Sequence, residues 1–127
     1  DGNIYLTCKI YNSPAYLYDT DDKNNYKYEI EPKVGGYQTL GLVKYDKDGK
    51  IIWYSIVDGY DNKYDPCLAL NNRFVNEHED SILYLSAYYY YPINFYNAND
   101  LTHIAYTLHY DSIWENPNVF IASFLPP

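Results

Sequence analysis

Apolar and polar residues in this chain alternate in short blocks, and no stretch keeps a helical period long enough to form a substantial helix. The first block, Asn3 to Tyr11, is rich in β-branched and aromatic side chains and stops at Asn12-Ser13-Pro14, a turn cluster, so it predicts a strand. Ala15 to Tyr18 predicts a short second strand, and Asp19 to Asn25 a solvated loop. Gly35-Gly36 leads into a third strand, Thr39 to Tyr45. The polar turn Asp46-Lys47-Asp48-Gly49 then separates it from Lys50 to Val57, the signature of a β-hairpin. A polar connection ends at Asp65-Pro66. Beyond it come a short strand at Cys67 to Leu70, a polar interval from Asn71 to Asp80 and a strand at Ser81 to Tyr88. Ile93 to Tyr96, Ile104 to Tyr110 and Val119 to Leu125 complete the set. The expected fold class is all-β, with antiparallel sheets.

Aligned with itself, the chain shows an internal repeat. Ile4-Tyr5-Leu6-Thr7-Cys8 matches Leu83-Tyr84-Leu85-Ser86-Ala87 at an offset of 79. One deletion later, Pro14 to Asp19 matches Pro92 to Asn97, and Leu40 to Tyr45 matches Val119 to Phe124, again at 79. The repeated unit is strand, Pro turn, short strand, long polar insertion, strand. The first unit spans about 1–66 and the second, incomplete, about 67–127, with Pro126-Pro127 in place of the hairpin turn.

These residues resemble the β-propeller repeats called SBBP repeats, found in secreted bacterial proteins and in tandem arrays of some giant viruses. The resemblance rests on Gly2 to Thr7, Pro92 to Asn97, Leu42 to Asp46, Asp48-Gly49 and Ile51 to Trp53, while Cys8 and Ala87 depart from the usual Gly. It leaves Thr20 to Gly36 and Asn99 to Asn116 outside the pattern as insertions. It implies a fragment of a propeller, with a small β-sandwich as the alternative. It also implies a structural or adhesive protein-interaction role on a virion or cell surface.

Composition narrows the choice of partner. The chain has 127 residues, 19 of them Tyr, and a net charge of -8, which repels phosphate backbones and makes nucleic acid an unfavourable partner. Residues 81–99 are uncharged, but Pro92, the Asn residues and the many Tyr make a poor hydrocarbon-core helix, so no membrane insertion is expected.

Candidate chemistry is sparse. Asp46-Lys47-Asp48-Gly49-Lys50 starts like a calcium loop, but Lys50 and Val57 stand where oxygen ligands are needed, so a hairpin turn is expected. His78, His103 and His109 have no second His or carboxylate at ligand spacing, and Cys8 and Cys67 form no CxxC motif; they read as two thiols or one disulfide. Neither a GxSxG elbow nor a glycine-rich phosphate loop occurs. The expectation is therefore a non-enzymatic chain with no cofactor or metal. The candidate binding residues are Tyr88, Tyr89, Tyr90 and Tyr91, whose rings alternate across a strand, together with Trp114 in a turn-like region. A protein partner or self-association is expected, with carbohydrate binding through exposed Tyr and Trp as the alternative.

Overall fold

The computed structural model describes residues 2–32, 39–59, 64–75, 78–89, 92–109 and 118–124. These form ten strands, all paired antiparallel: β1 (Ile4–Ile10), β2 (Ala15–Leu17), β3 (Tyr28–Ile30), β4 (Thr39–Tyr45), β5 (Ile51–Gly59), β6 (Tyr64–Val75), β7 (His78–Tyr89), β8 (Ile93–Asn97), β9 (Asp100–Leu108) and β10 (Asn118–Phe124). No helix occurs among the described residues, and therefore none long and apolar enough to cross a membrane. Three sheets result: a five-stranded sheet in the order β1-β4-β5-β8-β9, a three-stranded sheet β10-β7-β6 and the two-stranded ribbon β2-β3.

Two expectations are corrected here. The interval Asn71 to Asp80 was expected to be a polar connection, but most of it belongs to strands, because β6 and β7 form one long hairpin that pairs Asn71 with Ile82 and Val75 with His78. Polar side chains do not end a strand when the ladder hydrogen bonds continue on both sides. The first segment outside the SBBP pattern also carries an unexpected strand, β3, while β9 in the second overlaps the expected strand Ile104 to Tyr110 and begins four residues earlier.

The sheet registers reproduce the internal repeat. β1 pairs with β4 so that Ile4 faces Tyr45; β7 pairs with β10 so that Leu83 faces Phe124, with both partners displaced by 79. β2 pairs with β3 through Ala15 and Ile30; β8 pairs with β9 through Ile93 and Leu108, with both partners displaced by 78. Thus β7, β8, β9 and β10 are the counterparts of β1, β2, β3 and β4. β5 has no counterpart among the described strands.

Side-chain alternation gives the five-stranded sheet two apolar faces, each with its own core. One face, carrying Leu40, Leu42, Trp53, Val57, Ile93 and Phe95, packs on Leu83, Leu85, Ala87, Tyr89 and Phe120 of the three-stranded sheet. The other, carrying Ile10, Val43, Ile51 and Ile56, packs on Leu17 and Ile30 of the ribbon. Three β-layers therefore stack on one another. The cores are also counterparts: Ile10, Leu17, Ile30 and Val43 of the second occupy the repeat positions of Tyr89, Phe95, Leu108 and Ala122 around the first.

Where the repeats differ, volumes compensate across the strand pair. Gly41 sits opposite Cys8, and a Cβ on Gly41 would stand 2.8 Å from the Cys8 sulfur, so a larger residue would have to displace that sulfur. In the second repeat Ala87 replaces Cys8 opposite the large Phe120. Cys8 is a free, half-buried thiol, and burial raises its pKa despite a backbone hydrogen bond from Gly41 that lowers it. The Cys67 side chain lies outside the described residues.

The Asp46 turn closes as a hairpin. The Asp46 carboxylate accepts hydrogen bonds from the amides of Asp48 and Lys50, both at 2.9 Å, so this oxygen caps the turn. Gly49 adopts φ of 79°, the left-handed conformation that glycine takes without penalty, and its carbonyl accepts from the Thr20 amide and hydroxyl.

Candidate functional site

Phe95, on β8, is the centre of an aromatic group. Its ring meets Phe120 of β10 edge-on at 5.3 Å and lies 6.5 Å from Tyr106 of β9, while Tyr89 of β7 meets Phe120 at 5.9 Å. These separations are those at which aromatic pairs attract beyond simple burial. The group lines a cleft of about 600 Å³ between β8-β9 on one side and the outer edge of β10 on the other, a volume in the range of ligand sites. Asn97, Tyr96 and Trp53 complete its polar and aromatic border. Trp53 is buried and its indole N–H has no hydrogen-bond partner among the described residues.

Apolar surface continues outside the cleft. Val119 and Ile121 on β10 are 61% and 76% exposed, and Ile104 and Tyr106 on β9 are exposed too. Among the described strands, β10 pairs only with β7, leaving its second edge without a ladder partner. Such an edge presents unpaired amide and carbonyl groups to another strand.

The candidate residues read from the sequence fall differently. Tyr89 is 5% exposed: its ring belongs to the core and to the cleft wall, and its hydroxyl donates to the His109 carbonyl at 3.4 Å. It is not part of an open tyrosine face. The Tyr88 backbone pairs with Val119, while its side chain, and Tyr90, Tyr91 and Trp114 altogether, lie outside the described residues. Sequence reasoning missed Phe95, Tyr106 and Phe120. The available signal was the match of Tyr28-Glu29-Ile30 with Tyr106-Thr107-Leu108, which is too short to stand out without the pairing.

The titratable groups are local in their partnerships. His103, expected to lack a carboxylate, has its Nδ1 2.7 Å from Asp100 Oδ2, three residues earlier. Asp100 is held at about 2, chiefly by the Thr102 hydroxyl, then by the Thr102 amide and His103. Asp19 is also lowered, first because its carboxylate accepts from the Ile51 amide at 2.8 Å and next because Lys27 sits 3.1 Å away. Tyr96 is pushed up to about 12 by burial, and then by the neighbouring Asp58 carboxylate, to which its hydroxyl donates at 3.2 Å. Among the described residues no group of three His, Cys, Asp or Glu side chains converges as metal ligands would.

The arrangement thus offers apolar contact, aromatic stacking and backbone hydrogen bonding. Comparison with protein-family models, with curated proteins and with solved structures finds no match to this chain.

Proposed function

We propose that this chain is a non-enzymatic structural or adhesive module that binds protein, and specifically that it stacks with further copies of its own repeat. One observation carries the reading. Leu40 and Leu42 are 0% exposed, buried at the junction between the two repeats together with Leu83 and Leu85. Their counterparts Val119 and Ile121 are largely exposed, and so are Ile4 and Leu6, the counterparts of Leu83 and Leu85. Each half of the internal junction therefore recurs uncovered at one end of the stack. A second copy placing its Ile4 and Leu6 on Val119 and Ile121 would repeat the contact that already joins the layers.

Such head-to-tail contact is heterologous, giving rings when the rotation closes and filaments when it does not. The resemblance to SBBP repeats supports the ring form, in which four to eight blades form a propeller, and a virion or cell surface as its setting. Burying an aliphatic side chain of this size contributes about 1.5–3 kcal/mol, so the four exposed side chains are a substantial driving force. The test is self-capture: immobilised chain should retain free chain, and Ile121→Glu in both the immobilised and the free copy should abolish retention while leaving far-UV circular dichroism unchanged. Equal retention by wild type and Ile121→Glu would remove the stacking face.

Carbohydrate binding is the second reading, supported by the exposed Tyr106 ring beside Asn97 in the cleft. A glycan array probed with the folded chain decides it: a hit lost in Tyr106→Ala supports this reading, and no hit discards it.

A further inference from the structure

β5 lies between β4 and β8 in the five-stranded sheet, and the ribbon of the first repeat packs on one of its faces. Ile51 and Ile56 pack on Leu17 and Ile30, the Tyr54 ring lies 4.5 Å from Tyr28, and Asp19 accepts from the Ile51 amide at 2.8 Å. The groups of the first repeat that hold β5 have counterparts at the cleft. Phe95 stands for Leu17, Leu108 for Ile30, Tyr106 for Tyr28, Asn97 for Asp19, and the outer edge of β10 for that of β4. Tyr28 is half-buried against Tyr54, whereas Tyr106 is 61% exposed.

We infer that the cleft is an acceptor site for an extended segment of the β5 type, Ile-Ile-Trp-Tyr-Ser-Ile-Val, which adds as an antiparallel strand to β10. The register is that of β4 with β5: Val119 faces the residue in the place of Val57, Ile121 that in the place of Ser55, and Ala122 that in the place of Tyr54. Main-chain hydrogen bonds supply affinity, and alternate side chains entering the cleft supply selectivity. The tyrosine in the place of Tyr54 stacks on Tyr106, and the Asn97 side-chain oxygen accepts from the amide at the segment's start, as Asp19 does for Ile51. Phe120 replaces Gly41, so a ring shapes the floor beside the incoming strand. The inference rests on the reading of the chain as an interaction module, and it names one ligand of that module.

The experiment is fluorescence anisotropy of a labelled peptide with the sequence of residues 46–59, titrated with the whole chain. Saturable binding is expected. Tyr106→Ala in the chain, or Tyr54→Ala in the peptide, should each weaken it about 5-fold, an effect of the size of one aromatic pair. Together they should weaken it no more than either alone, and Ser55→Pro in the peptide should abolish binding. Tyr28→Ala in the chain, checked for folding by circular dichroism, should leave binding unchanged. Sensitivity to Tyr28→Ala without sensitivity to Tyr106→Ala would mean that the peptide displaces the chain's own β5, and would overturn the site. Absence of saturable binding by a chain that still captures itself would also overturn it while leaving the stacking face intact. Peptide binding by a chain that stays monomeric would keep the strand site and remove the stacking.

Discussion

Tyr89 illustrates how a residue's neighbours decide between display and burial. In sequence it is one of four consecutive tyrosines, but its counterpart is Ile10, a core residue of the other repeat, and it packs in the same place. Tyr89→Ala is expected to cost about 3–5 kcal/mol in denaturant unfolding, as for other buried aromatic truncations. A loss of binding in that variant would therefore report unfolding. Gly49 carries a different constraint, since both its left-handed φ and the adjacent Thr20 side chain exclude a Cβ. Gly49→Ala should lower stability by more than about 1 kcal/mol, and adding Thr20→Gly should recover only the steric part. Tyr96 sets an alkaline limit. Its neutral form is favoured in the folded state, so its contribution is complete below the unfolded value of 10.0 and is lost as pH rises towards about 12. The denaturation midpoint should fall between about pH 9 and pH 12 in the wild type, and less steeply in Tyr96→Phe. Asp100 has the opposite sign: its contribution is present above 3.8 and lost as pH falls through about 2.

Strands with a Gly turn or a β-branched run were legible from sequence. Thr39 to Tyr45 was read with its observed bounds, and the hairpin into β5 is held by the Asp46 and Gly49 features that announced it. β3 was less legible, and of β9 only the part from Ile104 onward was read. β3 has three residues, too few to show a period of two, and its identity as a strand comes from pairing with Ala15 to Leu17. The ladder, not composition, likewise carries β6 from Asn71 to Val75 and β7 from His78 to Asp80. The cleft was invisible for a related reason: Phe95, Tyr106 and Phe120 come from three strands of two sheets. The same repeat position also takes opposite environments in β4 and β10. Leu42→Ala is expected to cost about 2–5 kcal/mol. Ile121→Ala in dilute solution should stay within about 0.5 kcal/mol of wild type. Matched urea titrations of the two variants check the contrast.

At the scale of the whole molecule, the repeat explains both what is buried and what is not. The five-stranded sheet is sandwiched because each repeat contributes strands to two layers: β8 and β9 of the second join β5 of the first. Stacked repeats of this kind depend on their neighbours for stability, and faces with no neighbour are the natural contacts for more copies. The acidic charge of -8 opposes this association at long range, so salt should strengthen it by screening. Sedimentation velocity over a rising concentration series, at about 0.15 M salt, is the most direct measurement. The stacking account gives a weight-average mass that climbs above 15.0 kDa with concentration and returns to it in Ile121→Glu. A wild-type chain that stays at 15.0 kDa across the whole series would contradict it.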